Sequence, residues 1–110
     1  MDNLKRIGEA LRGGEYSSNP QGCAEDRAIL AGEYAFIMGQ LEDILTRKSA
    51  IWNEMRRNVK SDTSADRAYE ATEDGTNEQG LRLRAKSIEK MMSALSSLIQ
   101  IAQGQAMNIH

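Results

Sequence analysis

Apolar residues recur at helical spacing through the middle of the chain. Between residues 24 and 59 they follow the alternating three- and four-residue spacing of a heptad repeat, with one interval of seven: Leu30, Tyr34, Ile37, Leu41, Ile44, Ile51 and Met55. A second column repeats every seven residues beside the first: Met38, Leu45, Trp52 and Val59. The two columns predict one helix over residues 24–59, with an apolar face wide enough to pack against more than one neighbour.

A polar segment, residues 60–66, interrupts this pattern and predicts a turn. Thr63 and Asp66 have the spacing of a capping box, so a new helix is predicted to begin there. Heptad spacing then resumes in a main column and a flanking column: Leu81, Ile88, Met91, Leu95, Leu98, Ala102 and Ile109, beside Met92, Ile99 and Ala106. These positions predict a second long helix over residues 64–105.

Two glycine positions weaken the second predicted helix. Gly75 follows Asp74 in an Asp-Gly pair that favours turns, and Gly80 lies five residues further on. Glycine in a helix interior costs about 1 kcal/mol of helix stability relative to alanine, so a kink or a short break is predicted. Gly75 is the position where it is expected.

A short amphipathic helix is predicted before the first long one. Its apolar residues lie on one helical face: Leu4, Ile7 and Leu11. Gly13 and Gly14 end this pattern, and residues 15–22 are rich in Ser, Asn, Pro and Gly, which favour turns and linkers. The predicted organisation is a helix with a mobile tether over residues 1–22 and a helical hairpin domain over residues 23–110.

Charge is distributed unevenly along both long helices. Residues 25–43 contain five acids and one base, whereas residues 47–60 contain five bases and one acid. The order reverses in the second helix, where residues 62–78 contain six acids and one base before a basic stretch. An antiparallel hairpin places opposite charges side by side, and such pairs select the orientation of helices while apolar burial supplies the stability.

This complementarity predicts particular pairs and a fold class. Glu33 is predicted to lie near Lys90, and Asp43 near Arg82. The predicted fold is all-α: an elongated, coiled-coil-like antiparallel helical hairpin, preceded by the short N-terminal helix. Because each helix of a hairpin has only one partner, the second apolar columns predict that the protein is oligomeric.

Composition narrows the class of protein further. The chain has 110 residues, of which 40% are hydrophobic and 27% are charged, and these values are typical of one globular domain. A net charge of −2 gives no overall attraction to nucleic acid or anionic membranes, so such binding needs a local basic patch. With one cysteine, no secretory signal pattern and no stretch of about 20 apolar residues, the expected location is the cytoplasm.

Catalytic chemistry finds little support among the residues present. The only histidine is His110, so one chain cannot assemble a Ser-His, Cys-His or histidine-metal site. Gly13 and Gly14 lack the Lys-Ser/Thr pair of a phosphate-binding loop. No catalytic residue, metal site or cofactor is therefore predicted, and the protein is expected not to be an enzyme.

One basic cluster near the single tryptophan is a candidate surface for single-stranded nucleic acid. Its members are Arg47, Lys48, Arg56, Arg57 and Lys60, close to Trp52 in the sequence. Cationic side chains neutralise phosphates, and an aromatic ring stacks on bases. The alternatives are that Lys48, like Arg84, extends its stem over the apolar core, that Trp52 is buried in its apolar column, and that the acidic start of the second helix neutralises part of the cluster.

The C-terminal segment, residues 91–109, contains no charged side chain. Depletion of charge is typical of the cores of protein interfaces. The segment therefore predicts contact with a second copy or with another protein, through Met92, Leu95, Ile99, Ala102 and Ala106. The alternative is an exposed helix whose polar residues are neutral.

The layout of the chain resembles that of small helical accessory proteins of bacteriophages. The shared features are a long helix containing Ile51-Trp52-Asn53-Glu54-Met55-Arg56, a polar turn, the string Asp66-Arg67-Ala68-Tyr69-Glu70 and a second long helix. This arrangement is similar to that of the UvsY-type recombination mediators. The resemblance implies an oligomer in the cytoplasm of a bacterial host that binds single-stranded DNA and helps to load a recombinase.

Two hypotheses about function follow. In the first, a non-enzymatic, oligomeric phage-type accessory protein binds single-stranded DNA or a recombination enzyme through the basic cluster. In the second, a helical interaction protein inhibits or scaffolds a host or phage protein through residues 91–109.

Overall fold

The computed structural model describes residues 2–107, with side chains through residue 105. Within this range every regular element is helical, in the order α1 (Asn3–Arg12), a 3₁₀ helix (Glu15–Ser18), α2 (Pro20–Arg57), α3 (Asp62–Glu70) and α4 (Glu73–Met107). The prediction of an all-α fold is confirmed. None of the helices in this part of the chain combines the length and the apolar character that a membrane span requires.

The second predicted helix is in fact two helices, α3 and α4. Ser61, rather than Thr63, caps α3, because its hydroxyl oxygen accepts a hydrogen bond from the Ser64 amide at 3.1 Å. The break between α3 and α4 falls at residues 71–72, where the Thr72 hydroxyl oxygen accepts from the Gly75 amide at 3.0 Å. One Thr hydroxyl therefore marks the start of α4.

The predicted break at Gly75 or Gly80 is wrong in position, since α4 is continuous through both glycines and the break lies before Gly75, at residues 71–72. Gly75 has a different role, because it is buried against the end of α3. A Cβ atom there would lie 2.8 Å from the Cα of Glu70 and would overlap the carbonyl oxygen of Tyr69. The glycine therefore allows the close approach of α4 to the last turn of α3.

Residues Met1–Ala35 and Lys86–His110 form one compact unit, here called the terminal unit, and Phe36–Ala85 form another, the central unit. The core of the terminal unit comes from α1, the 3₁₀ helix, α2 and α4: Ile7, Ala10, Tyr16, Cys23, Leu30, Ile88 and Leu95. Cys23 lies beside Leu95, and the Tyr34 hydroxyl donates to Glu89 at 2.7 Å. Within this unit the segments of α2 and α4 therefore lie side by side.

Residues within the segment predicted as a mobile tether form a 3₁₀ helix that contacts α2. Tyr16, in the 3₁₀ helix, is buried, and its hydroxyl donates to Asp26 at 2.6 Å. Arg6 of α1 donates two hydrogen bonds to the same carboxylate, at 2.8 and 3.1 Å. Residues 20–22 form the first turn of α2. One buried tyrosine and one shared carboxylate therefore connect this turn-rich segment to α2.

Asp26 is the centre of this contact, and its neighbours change its chemistry. The hydrogen bonds from Arg6 lower the pKa of Asp26 below its ordinary value, against the opposing effect of burial, and the Tyr16 hydroxyl lowers it further. Burial and the bond to Asp26 raise the pKa of Tyr16. Glu33 and Lys90, which were predicted to lie near each other, do not form an ion pair among the described residues; Glu33 accepts a hydrogen bond from the Asn3 side chain at 3.1 Å.

The central unit packs parts of α2 and α4 with α3. Its buried apolar residues come from all three helices: Ile37, Leu41, Ile44, Ala65, Tyr69 and Ala85. Opposite charges pair between α2 and α4, but the residues differ from those predicted. Arg82 lies beside Glu78 of its own helix at 3.2 Å rather than beside Asp43, and Arg47 of α2 pairs with Asp74.

Candidate functional site

Three of the five residues in the predicted basic cluster are engaged by carboxylates of the same chain. Arg47 makes a two-pronged contact with Asp74, at 2.6 and 2.9 Å. The Arg56 guanidinium lies 2.8 Å from Asp62. Because these pairs satisfy the charge locally, Arg47 and Arg56 are less able to bind phosphate than free cations.

Lys48, the third engaged residue, belongs to a polar network in the central unit that is centred on Glu78. Its ammonium group is 3.2 Å from Glu78 and 4.9 Å from the centre of the Tyr69 ring. Glu78 also accepts from the Tyr69 hydroxyl at 3.1 Å and from Arg82 at 3.2 Å. The seam position of Lys48 is therefore explained by a cation held over an aromatic ring and paired with a carboxylate.

The network shifts the pKa values of Glu78 and Tyr69. Burial works to raise the pKa of Glu78, but the hydrogen bonds from Lys48, Tyr69 and Arg82 hold it below its ordinary value. Burial, with the bond to Glu78, raises the pKa of Tyr69 to about 12. Glu78 is therefore an ionised carboxylate and Tyr69 a neutral hydrogen-bond donor at neutral pH.

The other two residues of the cluster, Arg57 and Lys60, are exposed near the end of α2. Among the residues that the structure describes, neither has a carboxylate within 4 Å. The structure thus leaves two of the five predicted cations available to a ligand and places the other three in ion pairs.

A cleft of about 350 Å³ lies beside Lys48 in the central unit. Its lining comes from α2, α3 and α4: Lys48, Trp52, Asp66, Tyr69, Glu70, Gly75, Glu78, Gln79 and Arg82. Trp52 is half-buried, and its indole N–H donates to Asp66 at 2.8 Å. The sequence signal for the carboxylates that pair with the basic cluster was the series of acids at the start of the second predicted helix. That series did not indicate which acid pairs with which base.

The predicted interface on α4 divides into buried and accessible residues. Leu95 is fully buried in the terminal unit, where its carbonyl oxygen accepts a hydrogen bond from the Cys23 thiol at 3.4 Å, so it cannot contact a partner directly. Met92, Ile99 and Ala102 are half-buried. The side chain of Ala106 lies outside the described residues. Leu95 is thus a core residue, and the half-buried positions define what a partner can reach.

A shallow groove of about 420 Å³ lies beside Met92 in the terminal unit. It is lined by small polar residues together with one apolar and two charged ones: Ser93, Ser96, Ser97, Gln100, Met92, Arg27 and Glu89. Arg27 donates to the Ser96 hydroxyl at 2.7 Å, and Ile101 of the same helix is 56% exposed. From residue 91 to residue 105, the accessible side chains of α4 are therefore a mixture of apolar and neutral polar ones.

Within residues 2–105, no three side chains of the types that ligate metals come together. Comparisons of the chain with protein-family models, with curated proteins and with solved structures find no match. The geometry of the chain itself therefore carries the functional argument.

Proposed function

We propose that the protein is a non-enzymatic helical protein that acts by binding other polypeptides through the C-terminal part of α4, and that it forms oligomers through the same surface. The observation that carries this proposal is the absence of charge from residues 91–109, combined with accessible apolar side chains at Met92, Ile99 and Ile101. In this proposal the two long helices form an antiparallel hairpin.

The physical reason is the composition of the accessible surface. A helix that faces only water normally carries charged residues on its outer face, and this segment has none. Full burial of Met92 and Ile99 would contribute roughly 1.5 to 3 kcal/mol each, relative to full exposure, and each is already partly covered. Contact with a second copy encounters no like-charge repulsion over this stretch, which favours self-association.

A charge placed on this surface should disrupt the oligomer. Ile99→Lys places an ammonium group in the proposed interface, and an unpaired buried charge costs several kcal/mol. We therefore expect light scattering to report a smaller species for the variant than for the unaltered protein at micromolar concentration.

Leu83→Lys is the matched control, because Leu83 is an apolar residue of α4 that is 62% exposed but lies in the central unit. This variant should keep the oligomeric state of the unaltered protein. If the unaltered protein is a monomer at micromolar concentration, self-association is contradicted. If Ile99→Lys has the same oligomeric state as the unaltered protein, the interface lies elsewhere.

Binding of single-stranded DNA is the second candidate function. Arg57 and Lys60 are exposed and unpaired among the described residues, and the layout resembles the UvsY-type recombination mediators. In this form the protein would be a phage-type accessory factor in DNA recombination. The three intramolecular ion pairs leave it a smaller cationic surface than the sequence suggested, which is why protein binding is the leading proposal.

Fluorescence anisotropy of labelled single-stranded DNA across a salt series tests the second candidate. Two phosphate contacts, by Arg57 and Lys60, should give a log-log salt slope of about −1.4. The double variant Arg57→Ala with Lys60→Ala should lose this dependence, whereas Lys86→Ala with Lys90→Ala, which removes two other exposed bases, should retain it. No binding at low salt would exclude nucleic acid and leave the leading proposal in place.

A further inference from the structure

The cleft of the central unit is separate from the proposed interface on α4 and has its own chemistry. Its volume of about 350 Å³ is near the lower end of the range for ligand pockets, which is roughly 300 to 1,000 Å³. Three helices of one unit supply the lining, so helix packing fixes the positions of its walls. The cleft therefore suits a small group, such as a single side chain of a partner.

The positive charges in the lining are already held by one carboxylate. Glu78 accepts hydrogen bonds from Lys48 at 3.3 Å, from Tyr69 at 3.1 Å and from Arg82 at 3.2 Å. An anionic ligand would have to compete with Glu78 for these donors. It would also approach the carboxylates of Asp66 and Glu70 in the same lining.

The negative charges of Asp66 and Glu70, in contrast, have no counter-ion. Asp66 uses one carboxylate oxygen to accept from the Trp52 indole, and among the described residues neither acid has a cation within 4 Å. Glu70 is the last residue of α3, where the helix dipole adds partial negative charge. This part of the cleft therefore attracts a cation.

Aromatic rings complete the lining. Trp52 and Tyr69 both border the cleft, and the faces of such rings attract cations, but Tyr69 is only 3% exposed, so the half-buried Trp52 is the ring that a ligand can reach. Lys48 already makes this kind of contact with Tyr69, at 4.9 Å from the ring centre. A guanidinium group combines both interactions, because it stacks on an aromatic face and donates to carboxylates in the same plane.

We infer that this cleft binds an arginine side chain of a partner polypeptide, with the guanidinium group against Trp52 and its donors directed at Asp66 and Glu70. The site lies in a different unit from Met92, Ile99 and Ile101, the accessible apolar residues of the proposed interface, and does not depend on them. It gives the protein a second, charge-specific contact besides the uncharged one.

The single tryptophan makes this inference directly measurable. Trp52 fluorescence of the full chain is followed at low salt during titration with acetyl-Gly-Arg-Gly-amide, acetyl-Gly-Glu-Gly-amide or inorganic phosphate. We expect a saturable change with the arginine peptide and none with the other two ligands. No saturable change with the arginine peptide, or saturation by the acidic peptide or by phosphate, would overturn the inference.

Conservative variants identify the residues responsible. Glu70→Gln removes a charge from an exposed position and keeps the side-chain size, and it should weaken binding of the arginine peptide about tenfold. Glu73→Gln is the control, since Glu73 is also exposed but does not line the cleft. Circular dichroism checks that both variants remain helical. Equal affinities for the two variants would refute the assignment.

Discussion

Replacement of Gly75 by alanine is expected to destabilise the protein by about 2 to 3 kcal/mol, the upper range for adding a methyl group where there is no space. The new Cβ would lie 2.8 Å from the Cα of Glu70 and would overlap the Tyr69 carbonyl oxygen. Both are backbone atoms, which cannot move aside without displacing α3 from α4. Urea unfolding followed by Trp52 fluorescence measures the loss, because Trp52 is the only tryptophan and lies in the central unit.

Gly80→Ala is the matched control and should change stability in the opposite direction. Gly80 lies on the same helix, and apart from its chain neighbours and the adjacent backbone of that helix, no described atom is within 4 Å of the position of its Cβ. Alanine is favoured over glycine in a helix by about 1 kcal/mol, so this variant should be more stable than the unaltered protein. Equal effects of the two substitutions would show that close packing at Gly75 is not what distinguishes them.

Asp26→Ala is expected to destabilise the terminal unit by about 2 to 3 kcal/mol. The substitution leaves the buried Tyr16 hydroxyl without its acceptor and Arg6 without its two-pronged partner. The loss should be smaller than for a fully buried ion pair because the Arg6 side chain is 40% exposed. Thermal unfolding followed by circular dichroism gives the difference, and Asp43→Ala, at an exposed acid of the same helix, should be nearly neutral.

The effect of Asp26 should also depend on pH in a defined direction. Hydrogen bonds from Arg6 hold the folded-state pKa of Asp26 below the unfolded value of about 3.9. Its stabilisation is therefore complete above about pH 4 and is lost as pH falls through the folded-state pKa. The stability difference between the unaltered protein and Asp26→Ala should shrink on acidification. A difference that grows in acid would contradict the role given to this carboxylate.

The long helices were predictable because they depend on many residues at once. Leu30, Ile37, Leu41 and Ile44 were all placed on one seam from their spacing, and all four are buried. Averaged over several turns, such periodicity tolerates local exceptions. The ends of elements are less predictable because single contacts decide them, as the Thr72 hydroxyl decides where α4 begins.

At the candidate sites, likewise, the sequence predicted which regions carry opposite charges but not which individual residues pair. The alternation of charge correctly indicated that acids near the start of the second predicted helix face the basic part of α2. It did not identify Asp74 as the partner of Arg47, since a shift of one helical turn changes every pair. Composition likewise described residues 15–22 as turn-rich but could not show that Tyr16 reaches Asp26, because that contact depends on how the N-terminal segment folds back onto α2.

The fully buried thiol of Cys23 can report how often the terminal unit opens, through the rate at which it is chemically labelled. Only 1% of this residue is exposed, and burial raises the pKa of the thiol. Because the thiolate is the reactive form, a thiol-labelling reagent can react only when the surrounding helices separate. The rate of labelling therefore counts openings of the terminal unit in the unaltered chain. Trp52 emission records the central unit at the same time. Together they would show whether the two halves of one short polypeptide open in the same event or at separate moments.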